Sequence, residues 1–148
     1  MAFRLKYELT DYNSSTNMYR IRALIDFADV KAGDLGGLVR GLHSLADEGD
    51  CWVYYFASVW DDAQVRGDAK VMNRACALGQ AVIKGNAMIC DNAEVSGQAV
   101  VSDFAVVSDE ACVTGNAIIA GHAKVRNSEI ISRGLITDNG IPGTSVSQ

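Results

Sequence analysis

From Val53 onward an aliphatic residue or alanine recurs at every sixth position: Val59, Val65, Val71, Ala77, Ile83, Ile89, Val95, Val101, Val107, Val113, Ile119 and Val125. An alanine stands four residues after each of the first twelve, from Ala57 to Ala123, without an insertion. A period of six fits neither an amphipathic helix, with about 3.6 residues per turn, nor a coiled coil, with about 3.5. Alternation inside the hexad fits a short strand. The aliphatic residue and the alanine two places before it face one way, and the residues flanking the aliphatic face the other. The two remaining positions carry corner chemistry, as in Gly79-Gln80, Gly85-Asn86, Asp91-Asn92 and Gly115-Asn116. Glycine and asparagine accept the positive φ of a tight corner. Each hexad is therefore a strand plus a corner, and three hexads close a triangular coil of 18 residues.

Stacking such coils predicts three interior columns. Val53, Val71, Ile89, Val107 and Val125 form the first. Val59, Ala77, Val95, Val113 and Ile131 form the second, and Val65, Ile83, Val101 and Ile119 the third. After Val125 the register decays, because Glu129 replaces the expected alanine, although Ile131 still fits. Ahead of the repeat, Phe3, Leu5, Tyr7 and Leu9 alternate with polar residues, as do Tyr19, Ile21, Ala23, Ile25 and Phe27. That pattern predicts a β-hairpin turning between Asp11 and Asn17. The glycine-rich run from Lys31 to Val39 reads as irregular, and it lacks both a P-loop lysine and a dinucleotide fingerprint. The chain divides into a hairpin and cap (1–50), an all-β helix of about four to five coils (51–136) and a frayed tail (137–148).

The hexad resembles the repeat of the left-handed parallel β-helix superfamily, which includes many acyltransferases. Left-handed winding and threefold assembly are what that resemblance implies; spacing alone does not give them. A second resemblance lies in YRIRAL, VKAGDLGG and GDCWV ahead of the coils. These are similar to segments of small uncharacterised phage and prophage proteins, which implies a genomic setting and no activity.

Composition narrows the function classes. A net charge of −5, with no Lys/Arg cluster, argues against nucleic-acid binding. No apolar run has the length of a signal peptide core or a membrane span, so the expected location is the cytoplasm, that of the host if the chain is phage-encoded. Cys51, Cys76, Cys90 and Cys112 are expected to be reduced thiols. Cys76, Glu94 and Cys112 share an outward column, yet no histidine stands at ligand spacing, so no metal and no cofactor are expected.

His122 occupies a corner and His43 the cap. In hexapeptide acyltransferases a coil histidine serves as general base and acyl-CoA lies between subunits, which makes His122 the candidate base if this chain is an enzyme. Two departures weigh against that: no loop interrupts the coils, and no carboxylate is placed to orient the imidazole. The most informative exterior feature is a stripe of Val82, Val100 and Ile118, continued toward Ile136, with Met72, Met88 and Val106 on the adjoining wall. Outward aliphatics on a polar coil predict a covered surface, and the resemblance implies that a homotrimer interface covers it. Arg66, Lys84, Asn86, Asn116 and His122 lie on or near the same wall and its corners, and in a trimer they would line an intersubunit groove suited to a small anionic ligand. The reading favoured is a non-catalytic binding protein that sequesters a small anionic, nucleotide-like host molecule or blocks a host defence protein. An acyltransferase and a purely structural solenoid are the alternatives.

Overall fold

The computed structural model describes residues 5–137 and the backbone of 146–147. Among the described residues the chain is all-β apart from a single 3-10 turn at Leu42–Ser44. Strands β1 (Tyr7–Asn13) and β2 (Met18–Ala23) form the antiparallel hairpin, and β3 (Leu35–Val39) follows. Fifteen two-residue strands then run from β4 (Trp52–Val53), β5 (Ser58–Val59) and β6 (Gln64–Val65) to β16 (Lys124–Val125), β17 (Ile130–Ile131) and β18 (Leu135–Ile136). Every third strand pairs in parallel with the next, so the chain is a parallel β-solenoid with three walls. Wall one starts at β4, wall two at β5 and wall three at β6.

The interior columns fall as the period requires. Val53 is aligned with Val71, and Ile89 with Val107, on wall one; Val101 is aligned with Ile83 and Ile119 on wall three. All the repeat alanines from Ala57 to Ala123 are buried. Alanine fits because two strands converge at each corner, leaving room for one methyl group; a larger side chain there costs about 1–3 kcal/mol in strain. The first residue of every corner from Asp61 to Asn127 has positive φ, and each is glycine, aspartate or asparagine.

Three sequence expectations need correction. The glycine-rich run is not irregular throughout, because β3 pairs antiparallel with β2 and parallel with β5. Its glycines serve close packing. A Cβ at Gly36 would lie 2.6 Å from the Val53 carbonyl oxygen, and one at Gly37 would run into the carbonyls of Ala57 and Tyr54. Secondly, Ile136 points inward and is buried, while Leu135 takes the outward place beyond Ile118. The last coil is one residue short: Gly134, with φ of 89°, stands at the alanine position, and its carbonyl accepts the Ile118 N–H at 2.9 Å. Thirdly, the tail expected to fray carries β19 (Val146–Ser147), whose backbone pairs antiparallel with β17. The rest of that tail, from residue 138, lies outside the described residues.

Wall two thereby becomes a nine-stranded sheet, with antiparallel strands at both ends and parallel coils between. The hairpin also folds over wall one. Trp52 occupies an outward position, aligned with Lys70, yet is buried because Tyr7 and Phe27 meet its ring edge-on at 6.3 and 5.3 Å. Beneath the hairpin Lys6 is 2% exposed, and its ammonium donates to the carbonyls of Gly49 (3.1 Å) and Cys51 (2.8 Å). The Tyr7 hydroxyl donates to the Leu45 carbonyl at 2.6 Å, and among the described residues no buried side-chain nitrogen or oxygen lacks a hydrogen-bond partner.

Candidate functional site

The exterior is built from columns that repeat every 18 residues, one residue per coil. On wall three the residues before the interior aliphatics are Gln64, Val82, Val100, Ile118 and Leu135, each aligned with the next. Val82 and Val100 are half-buried; Ile118 and Leu135 are 42% and 54% exposed. Met88 and Val106 are aligned on wall one, and both are half-buried. The stripe expected from sequence therefore exists, and Leu135 lengthens it. Met72 belongs to a different column of wall one, immediately after Val71, and is half-buried.

Four of the five predicted ligand residues gather where wall three turns into wall one. Arg66 and Lys84 follow the interior aliphatics Val65 and Ile83 of wall three, one coil apart, and both are exposed. Asn86 and His122 are exposed corner residues of the adjoining edge, two coils apart. Asn116 is separated from them, because its corner lies on the opposite edge of wall three, between walls two and three. The coil between Asn86 and His122 supplies Phe104, which the sequence reading missed. Its ring is 54% exposed and stacks on the His122 imidazole, with centroids 5.0 Å apart and planes 6° from parallel. The signal was available: 104 lies 18 after 86 and 18 before 122, and is an apolar ring in a column otherwise occupied by Asp68, Asn86 and His122.

The charge of this edge favours an anion. Arg66 and Lys84 stand on its wall-three side and Lys70 and Lys124 on its wall-one side, against Asp50, Asp68 and Asp103. Two of these carboxylates each accept a backbone N–H and keep their charge, so the cations outnumber the carboxylates by one. Asp68 Oδ1 accepts the Asp50 N–H at 3.0 Å, and Asp103 Oδ2 accepts the Gly121 N–H at 2.9 Å.

The edge between walls one and two has the opposite character. A groove there is lined by Phe56, Arg74, Asp91, Asp109 and Glu110, among others. Its floor is a chain of side-chain to backbone bonds. Asn73 Oδ1 accepts the Asp91 N–H (3.0 Å), Asp91 Oδ2 that of Asp109 (3.0 Å), and Asp109 Oδ2 that of Asn127 (2.8 Å). Three carboxylates against one guanidinium make this groove unsuited to an anionic ligand.

The remaining candidates have structural surroundings. His43 Nε2 donates to the Asp61 carbonyl at 3.0 Å. On wall two Glu94 is aligned with both Cys76 and Cys112. Burial, then Glu94, then Cys112 push the Cys76 thiol up to about 11, and burial with Glu94 raises Cys112 in the same direction. Thiols held protonated are poor nucleophiles and poor metal ligands at neutral pH. Among the described residues no group of three or more His, Cys, Asp or Glu side chains is arranged to hold a metal ion. Nor is any described helix long and apolar enough to cross a membrane. The chain matches no family model, and no curated protein matches it.

Proposed function

We propose that this chain is a non-catalytic binding protein of the left-handed hexapeptide-repeat type, of the kind encoded by phages and prophages. In this reading it assembles as a homotrimer through wall three. The assembly sequesters a small anionic, nucleotide-like molecule of the host cytoplasm at the edge between walls three and one. One observation carries the reading: the aligned aliphatic column Val82, Val100, Ile118 and Leu135 runs beside Arg66 and Lys84. An apolar strip on an otherwise polar exterior is stabilised by being covered, and a parallel threefold arrangement covers it with closed symmetry. The cations beside it would then line an intersubunit groove.

Light scattering on the purified chain tests the assembly. The expected mass is that of three chains, falling to one chain in Ile118→Glu with the thermal transition retained. A wild-type monomer overturns the trimer. Mass spectrometry of small molecules that co-purify tests the ligand: a retained nucleotide or related phosphate supports the reading. Turnover of acyl-CoA that is lost in His122→Ala replaces it with the acyltransferase.

A further inference from the structure

Resting on the reading of the wall-three to wall-one edge as an anion site, we propose that its ligand carries an aromatic base and that Phe104 is the platform for that base. A solvated corner is a costly place for a large apolar ring, since apolar area left in water forgoes the gain from burial. Phe104 nevertheless stands there, more than half exposed. His122 covers one face of the ring, in the direction of the next coil, with the two planes nearly parallel. Asn86 stands one coil earlier in the same column, on the side of Phe104 away from His122. A flat base laid on that side of the ring would bring its edge to the Asn86 amide, which offers two donors and an acceptor. Lys84, two residues before Asn86, and Arg66, one coil before Lys84, stand where the phosphate of such a ligand would run. Stacking on an aromatic ring tolerates any base, because every base presents a π face. Base identity then rests on Asn86 and the anionic group on the two cations, so aromatic and polar recognition share one column and charged recognition the neighbouring one.

Calorimetric titration of the intact protein with adenosine monophosphate and, separately, ribose phosphate tests this. The nucleotide should bind at least about tenfold more tightly than the sugar phosphate, the scale of one base–aromatic stack. Phe104→Ala should bring the nucleotide to the level of ribose phosphate while leaving ribose phosphate unchanged, and Phe104→Trp should keep the preference. Equal binding of both probes to the wild type, or an equal loss of both in Phe104→Ala, overturns the base platform while the anion site survives. Failure of both probes to bind overturns the anion site and the platform together. Phe104 is exposed, so a melting temperature close to wild type shows that the variants are folded.

Discussion

The coils and the cap are stabilised by opposite strategies. From Asp61 to Ile131 each residue has counterparts 18 positions away in the same surroundings, and backbone bonds such as Met72 N–H to Ile89 and Cys90 N–H to Val107 recur coil after coil. Stability there is a sum of similar nearest-neighbour terms. In the cap nothing is duplicated. Lys6 and Ser44 are the buried polar residues among those described, and each is held by contacts found once in the molecule: Lys6 by Gly49 and Cys51, Ser44 by the Arg40 N–H at 3.2 Å. Arg20 likewise donates to Gly36 and Tyr55 while lying 3.9 Å from the centre of the Tyr55 ring. A repetitive region therefore fails where its interior is violated, whereas a single-copy region fails where one specific partner is removed.

Substitutions that separate these two modes can be ranked by expected effect. Val95→Asp places a carboxylate in the middle of an interior column and should destabilise by at least about 4 kcal/mol, abolishing the cooperative transition seen by circular dichroism. Gly37→Ala drives a methyl group into two carbonyl oxygens of the first coil and should cost about 2–4 kcal/mol by urea denaturation. Lys6→Met fits the space but strands the Gly49 and Cys51 carbonyls, at about 1–3 kcal/mol. Its signature should be local: amide exchange quickens over residues 5–50 and stays slow in the coils. Uniform quickening throughout would erase the distinction between the two regions.

The smallest effects sharpen a comparison within the coils. Asp91→Ala loses the bond from the Asp109 N–H and leaves the β-carbon at φ of 58° without the polar side chain that makes this conformation tolerable, for about 1–2 kcal/mol. Asp91→Gly relieves the backbone and should recover about half of that. Gln98→Ala breaks only the exposed amide contact with Gln80, 3.1 Å long, and should leave the melting temperature within about 2 °C.

Most of the solenoid could be read from the sequence because burial, corner geometry and parallel pairing share one period. Wherever a second requirement overrode that period, the reading slipped. Gly36 and Gly37 read as loop punctuation, but they let one strand lie directly against another coil's backbone, a tertiary demand invisible to local pattern. Ile136 was placed outside by counting in eighteens, and Gly134 shortens that last count by one. The positions of the candidate residues were legible as columns: Arg66, Lys84, Asn86 and His122 stand along the edge between walls three and one, spread over successive coils. Asn116 stands at the other corner of wall three, because a wall has two edges and adjacency to it does not choose between them, and Phe104 shows only when its column is read across coils.

The inward-facing and outward-facing residues keep different clocks. Valine, isoleucine and alanine return every six residues, whereas an exterior partner such as Val100 above Val82 returns only after eighteen. Excising one hexad would leave every later aliphatic pointing inward while turning the whole downstream exterior by one face of the prism. Folding is thus blind to a slip that surface recognition cannot survive, so the coil's shape and the map painted on it can be altered independently.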